Sequence, residues 1–342
     1  MLLLAGSADS IDCVGSTGFL TLTPVSDFTL VNMKLQQSLE IADPLSNLPD
    51  LSGRVAVVTG GASGLGLATG RGLAHLGADV LLGVRDMARG EQVRRHMVEQ
   101  GGLRADQVTV AHLDLLDLES VSMFAGQIAD SPLDLLILNA GISSVPLRLS
   151  PQGVESQFAT NHLGHYALTG ALLTALERGS EPRVVTVSSA LYKRATLDLD
   201  NLAGANGYSP GRAYNRSKLA NAMFAVDLGR RLAKAESPVR SFVAHPGMAR
   251  TPLHGTYPST TTRVATKVIA KVIGRDSDAA AVAVLTAAAS PQVDPQLFWG
   301  PAGSKSHPEV VGVPFTASAT DVRAAAKLWA TSARLSGVDY LR

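Results

Sequence analysis

Short apolar runs alternate along this chain with longer stretches in which apolar residues recur every three or four positions. Val55-Ala-Val-Val58, Leu133-Asp-Leu-Leu-Ile-Leu138 and Val184-Val-Thr-Val187 are almost continuously apolar, as strands covered on both faces must be. With the weaker runs around them, they predict strands near 54–59, 79–83, 107–112, 133–138, 183–188, 239–244 and 296–299. The helical period predicts helices over 65–76, 87–100, 117–129, 152–177, 212–235, 277–289 and 318–335. Regular alternation of strand and helix implies an α/β fold. The expected architecture is a Rossmann-like, doubly wound parallel sheet of about seven strands with helices on both faces. No Pro/Gly linker splits residues 51–342, which read as one domain. Residues 1–50 are different, with Ser, Asp, Thr and Pro between short apolar fragments and no sustained period. They are expected to be a poorly ordered leader.

Composition narrows the function classes. The 342 residues are 46% hydrophobic with a net charge of +1, enough for a sizeable core and without the basic excess of a nucleic-acid binder. No run of about 18 apolar residues exists, so no spanning helix is expected. Met1-Leu-Leu-Leu4 lacks the charged region and length of a signal peptide. Cys13 is the only cysteine, which excludes an internal disulfide and a cysteine-rich metal site and suits a reducing, cytoplasmic setting. His112, His162, His165 and His245 have no metal-ligand spacing, and no metal is expected.

Two stretches carry chemistry. Thr59-Gly-Gly-Ala-Ser-Gly-Leu-Gly66 follows the first strand and opens an amphipathic helix with Leu67, Gly70, Leu73, Ala74 and Leu76 on its inner side. Strand, glycine turn and helix is the context of a dinucleotide site. The glycines let the backbone approach a pyrophosphate, and the helix N-terminus offers unpaired N–H groups to the anion. The glycines fall at 60, 64 and 66 rather than in the G-x-G-x-x-G spacing. The second stretch is Ala213-Tyr-Asn-Arg-Ser-Lys218, which sets Tyr214 and Lys218 one helical turn apart on one face. An ammonium there favours the phenolate, tuning the tyrosine to exchange a proton with a carbonyl or an alcohol.

With these motifs in place, the sequence from about Leu51 onward resembles the short-chain dehydrogenase/reductase family. Thr59 to Gly66 matches its TGxxxGxG, Asn139-Ala140-Gly141 its NAG, Ser188-Ser189 its catalytic-serine strand end, and Pro246-Gly247 its PG turn. Asn161-His-Leu-Gly-His165, Tyr214-Asn-Arg-Ser-Lys-Leu-Ala-Asn221 and His245-Pro-Gly-Met-Ala-Arg-Thr251 are similar to the retinol-dehydrogenase and protochlorophyllide-reductase branch. So is the long gap between Ser189 and Tyr214, with its Asp198-Leu-Asp-Asn201.

The resemblance implies an NAD(P)-dependent oxidoreductase moving hydride between nicotinamide and an alcohol or carbonyl carbon. In that reading Tyr214 is the general acid/base. Lys218 tunes it and holds the ribose. Ser189 bonds the substrate oxygen, and Asn161 holds a water that links Lys218 to solvent. The dinucleotide would lie on Thr59, Gly60, Ser63, Gly64, Leu65 and Gly66. Asp114 and Leu115 would take the adenine, Asn139, Ala140 and Gly141 the sheet edge beside the cofactor, and Pro246, Gly247 and Thr251 the carboxamide end. Where an NAD enzyme places an acid after the second strand, this chain has Val84 followed by Arg85. A guanidinium grips a 2′-phosphate with paired hydrogen bonds, so NADP(H) is expected over NAD(H), with Asp86 a competing signal one residue on.

Residues 248–278 are read as a substrate lid, with Val264, Val268 and Val272 on one face among Arg263, Lys267, Lys271 and Arg275. The expected partner is a small apolar alcohol, aldehyde or ketone. No nucleic acid and no membrane contact are expected, and a homo-oligomer is compatible with the sequence. Two other readings share these motifs: a cofactor-binding regulator without turnover, and a nucleotide-sugar epimerase or dehydratase.

Overall fold

All seven expected strands form one sheet, and two further strands extend it. The computed structural model describes residues 37–40, 47–247, 276–303 and 308–342. The chain divides into two units, Met1–Leu35 and Gln36–Arg342, and the first lies wholly outside the described residues. The strands are β1 (Gln37–Glu40), β2 (Val55–Thr59), β3 (Asp79–Val84), β4 (Val108–His112), β5 (Leu135–Leu138), β6 (Arg183–Val187), β7 (Arg240–Ala244), β8 (Leu297–Gly303) and β9 (Pro308–Pro314). Their order across the sheet is β1-β9-β8-β7-β6-β5-β2-β3-β4. From β4 to β8 the pairs are parallel; β9 returns antiparallel on β8, and β1 pairs antiparallel with β9.

The two added strands escape a pattern search for separate reasons. β9 is interrupted by Gly312 and ended by Pro314, so it lacks a long apolar run. β1 is four residues, Gln-Ser-Leu-Glu, inside the segment read as leader. It belongs to the sheet, so the domain begins before the boundary expected at residue 50.

Side chains of alternate strand residues feed two cores. Ala56, Val58, Val80, Leu82 and Val84 point to one face, where helices α1 (Gly64–His75), α2 (Met87–Gly101) and α6 (Ser277–Ala289) pack. Val57, Leu136 and Leu138 point to the other, under α3 (Leu118–Gly126), α4 (Gly164–Glu177), α5 (Pro210–Lys234) and α7 (Val322–Ser336). Helix α6 is buried from Ala280 to Ala289 on every side, as a helix apolar all round must be. Its small residues let it approach α1 so closely that a Cβ on Gly72 would stand 2.5 Å from Leu285.

The order reverses between β2 and β5: β3 and β4 extend one way, β6 to β8 the other. Ligand crevices in open α/β sheets form at such a switch point, beyond the carboxyl ends of the strands. Thr59 ends β2 at this point, and Asn139 follows β5 there.

Candidate active site

The glycine turn is shaped by contacts that a side chain would break. Gly60 (φ 71°) and Gly64 (φ 51°) take left-handed backbone conformations. A Cβ on Gly66 would run into the Gly60 carbonyl and stand 2.5 Å from the Asn139 amide nitrogen. Ser63 is the N-cap of α1 in extended conformation, and its side chain makes no capping hydrogen bond. The first amides of α1, at Leu65 and Gly66, are thus left to an anion.

Asn139 does what a sheet-edge brace does. Its side chain donates to the Thr59 carbonyl at 2.8 Å, while its own N–H and that of Ala140 both donate to the Thr59 hydroxyl at 2.9 Å. Asp114 is committed partly to its own loop, its carboxylate accepting from Leu116 N at 3.0 Å, while its N–H donates to Ser120. Leu115 is buried, and Gly164 at the start of α4 lies so close to its carbonyl that a Cβ would collide.

At the end of β3, Val84 is buried and Arg85 exposed. Asp86, the competing signal, is the N-cap of α2, with its carboxylate accepting from Arg89 N at 3.0 Å. That role gives it a local partner. Arg89 adds a second guanidinium beside the turn, with Nε donating to the Ala62 carbonyl at 3.0 Å. Arg89 went unnoticed in the sequence because it is one of several charged residues on an outwardly polar helix.

The four expected catalytic residues converge on one edge. Tyr214 and Lys218 are 9% and 4% exposed on α5, with the Lys218 ammonium 5.8 Å from the tyrosine ring centre. Lys218 Nζ donates to the Val187 carbonyl at 3.1 Å, and a Cβ on Gly141 would lie 3.6 Å from it. Burial pushes the ammonium down to about 8. The adjacent serines divide their work. Ser188 is buried and donates to the Lys218 carbonyl at 2.8 Å, tying α5 to β6. Ser189 is half-buried and accepts from Leu191 N at 3.3 Å, which leaves its O–H to donate elsewhere.

Asn161 sits where the helix is interrupted. The helix expected over 152–177 opens with a turn at Ser156–Phe158 and widens to a π-helix at Ala159–Leu163 before α4. Both N–H donors of the Asn161 carboxamide are engaged, with the Ile142 carbonyl and Ser217 Oγ at 2.9 Å. Its oxygen accepts from Ile142 N at 2.8 Å. The carboxamide therefore braces the loop after Gly141. Its backbone carbonyl accepts from His165 Nδ1 at 3.0 Å.

Pro246 and Gly247 (φ 68°) turn the chain after β7, and Gly247 N donates to His245 Nδ1 at 3.1 Å. His245 stacks on Phe298, and burial, with Lys193 nearby, holds it down to about 4. Thr251 and the lid residues 248–275 lie outside the described residues. The last three residues assigned to the lid, 276–278, instead start α6, whose N-cap Asp276 accepts from Ala279 N.

A buried polar cluster, unforeseen in the sequence, positions the long segment between Ser189 and Tyr214. Arg216 donates to the carbonyls of Asp198 (3.1 Å) and Asn201 (2.8 Å) and pairs with fully buried Glu155 at 3.5 Å. Glu155 also caps Gln157 and Phe158, and burial raises its carboxyl against these partners. Arg216→Met strands that carboxyl, and is expected to destabilise by about 3–5 kcal/mol in denaturant unfolding. Glu155→Gln with Arg216→Met, which removes the stranded charge and keeps one of the two capping acceptors, is expected to lose less than Arg216→Met alone.

Lys218 predicts a pH dependence. Folded, it titrates near 8; unfolded, at its ordinary value of about 10.4. Between these values the unfolded chain holds a proton that the folded chain has released, so stability rises with pH across that window. Below it the fold carries a buried cation at a cost of about 3 kcal/mol. In thermal melts without cofactor, the melting temperature of Lys218→Met relative to wild type is expected to be highest near pH 7 and to fall steadily toward pH 10. A gap that does not change with pH would mean that Lys218 is well solvated.

Comparison with known proteins places the chain in a family. A family model described as short chain dehydrogenase matches residues 54–261. A retinol dehydrogenase 14 from Mus musculus is 40% identical over 213 residues, 59% of this chain and 63% of its own length, so the chain spans under two thirds of that relative. A polyprenol dehydrogenase from Mus musculus is 36% identical over 296 residues, covering 85% of this chain and 86% of its own. The solved structure of an uncharacterized protein from Mycobacterium paratuberculosis is 38% identical with a TM-score of 0.71, covering 89% of this chain and 99% of that one. On this match over residues 54–261 and on these relatives, the chain belongs to the short-chain dehydrogenase family, in its retinol-dehydrogenase-like branch.

Proposed function

We propose that this protein is an NADP(H)-dependent oxidoreductase that interconverts an apolar alcohol with its aldehyde or ketone. The observation that carries the reading is the pair Tyr214 and Lys218, buried together on α5 beside Gly141. A buried ammonium has few uses in a fold that gains nothing from its charge, and one set against a tyrosine ring stabilises that ring's phenolate. The residues fit a nicotinamide dinucleotide. Gly60, Gly61 and Gly66 have no room for a side chain, the first amides of α1 suit a diphosphate, and Arg85 and Arg89 stand just past β3, where a 2′-phosphate would lie.

When bound, the nicotinamide supplies or accepts the hydride. The protein manages the proton and the developing charge. Tyr214 gives a proton to the carbonyl oxygen in reduction and takes one from the hydroxyl in oxidation. Lys218 keeps the phenolate accessible near neutral pH, and its Val187 contact fixes where the charge sits. Ser189 donates from its remaining O–H to the substrate oxygen as charge develops there. Retinol and polyprenol dehydrogenases among the relatives support a long, prenyl-like apolar alcohol or aldehyde as the substrate class.

Tyr214→Phe keeps the ring and removes the proton. Turnover on a verified prenyl-type alcohol is expected to fall about 10²–10⁴-fold, with NADPH binding retained, measured by steady-state kinetics and fluorescence titration. Near wild-type turnover in that variant would refute the proton-transfer role.

Arg85→Ala tests the cofactor. Losing a charge-assisted contact of about 1.5–3 kcal/mol is expected to raise KM for NADPH roughly ten- to a hundredfold while leaving KM for NADH nearly unchanged. Equal changes for both cofactors would remove Arg85 from the 2′-phosphate site.

A further inference from the structure

A buried chain of hydrogen bonds runs from the glycine turn to the helix carrying Tyr214, and His165 is its central link. Thr59, Asn161, His165 and Ser217 are each at most 2% exposed. Thr59 Oγ1 lies 2.9 Å from His165 Nε2, and His165 Nδ1 lies 3.0 Å from the Asn161 carbonyl. Asn161 Nδ2 donates to Ser217 Oγ at 2.9 Å, and Ser217 Oγ donates to the Tyr214 carbonyl at 2.8 Å.

The proton positions follow from what each atom can do. A carbonyl only accepts, so His165 Nδ1 must carry the hydrogen. Burial, with the Lys218 charge nearby, holds the imidazole down to about 3, so the ring is neutral and Nε2 is an acceptor. Thr59 Oγ1 already accepts from the N–H groups of Asn139 and Ala140, so its own hydrogen goes to Nε2. The Ile137 carbonyl, at 3.3 Å, is the more distant alternative for that hydrogen. The ring is thus fixed as the Nδ1–H tautomer by partners on two different elements.

The bond to Asn161 falls where the backbone is unusual. Ala159–Leu163 is π-helical, a form that leaves carbonyls poorly served by the regular ladder and that recurs at functional sites. His165, four residues on, folds back to serve the Asn161 carbonyl. Held there, Asn161 reaches both backbone groups of Ile142, just after Gly141, and reaches Ser217 between Tyr214 and Lys218.

We propose that His165 is a positioning residue that couples the glycine turn to the Tyr214 helix by holding the π-helical turn at Asn161 in place. This rests on the oxidoreductase reading for its effect on turnover, but not for its effect on structure. With His165→Phe the volume stays and both bonds go. The Thr59 hydrogen can turn to Ile137, so the glycine turn keeps its other contacts, while Asn161 loses its anchor.

Three measurements test this. In the wild-type protein without cofactor, ¹⁵N NMR of the imidazoles, with His165→Phe to assign the signal, is expected to show a neutral Nδ1–H ring; the Nε2–H tautomer would overturn the proposal. Hydrogen exchange on the same proteins is expected to be about tenfold or more faster in peptides 139–145 and 212–218 of His165→Phe, with peptides from β3 and α2 unchanged. Unaltered exchange over 212–218 would show that no coupling reaches α5, and a general rise across all peptides would show a merely structural residue. For turnover, His165→Phe is expected to lower kcat at least tenfold with NADPH affinity within about threefold. His165→Asn, whose amide can still donate to the Asn161 carbonyl, is expected to recover much of it. His165→Asn as impaired as His165→Phe would overturn the role. If the wild-type protein turned over no alcohol or carbonyl, the oxidoreductase reading would fall, while the tautomer and exchange results would still decide the coupling.

Discussion

The site depends on one hydroxyl at the sheet's switch point. β2 and β5 are parallel neighbours here, and their chains diverge at their carboxyl ends, one into the glycine turn and the other into Asn139-Ala-Gly141. Divergence strips both ends of ladder partners. Thr59 Oγ1 meets that need by accepting from two backbone N–H groups of the second chain, and the Asn139 side chain returns a bond to the Thr59 carbonyl. With Thr59 fully buried and Asn139 and Ala140 half-buried, these bonds hold the crevice open at a fixed width, because releasing them leaves Thr59 with unpaired polar atoms away from water. The close approaches of Gly60 to Ala140, and of Gly66 to Gly60 and Asn139, are possible only at that width.

Around this junction the protein keeps several charged or ionisable groups out of water, and treats each differently. Lys218 has a carbonyl partner and no carboxylate within ion-pair distance among the described residues, and burial lowers its pKa. That is costly for stability and useful for a neighbouring phenol. Glu155 and Arg216 are paired and also hydrogen-bonded to backbone, which suits a structural role: they clip the long segment after Ser189 onto the turn before the π-helix. His162 and His165 are held neutral by burial. The same desolvation thus acts on all of these groups, and what each one touches decides whether the result is a brace or a reactive group.

α5 carries Tyr214 and Lys218 toward the crevice while Arg216, between them in sequence, points to the opposite side. A single turn of helix therefore carries the Tyr214–Lys218 pair and also anchors the loop that precedes it. Substitutions at Arg216 and at Lys218 are separable for this reason, although only Ser217 divides them.

The parallel sheet, its seven main strands, the flanking helices and the positions of Thr59, Gly66, Asn139, Ser189, Tyr214 and Lys218 were legible in the sequence. Each leaves a local mark: buried parallel strands are continuously apolar, tight backbone approach demands glycine, and a tyrosine and lysine four apart share a helix face. β1 and β9 were not legible, since short antiparallel edge strands carry little pattern of their own and depend on the neighbour they join. Nor was the choice among equivalent residues. The division of labour between Ser188 and Ser189, the engagement of the Asn161 carboxamide and the link made by His165 are set by partners 19 to 106 positions away or by a local widening of the helix, and the capping role of Asp86 by where α2 begins. Residue type and spacing determine what a side chain is able to do; only folding brings the donor or acceptor that selects which of those bonds is made, because a hydrogen bond acts over about 3 Å and carries no trace in the sequence between its ends.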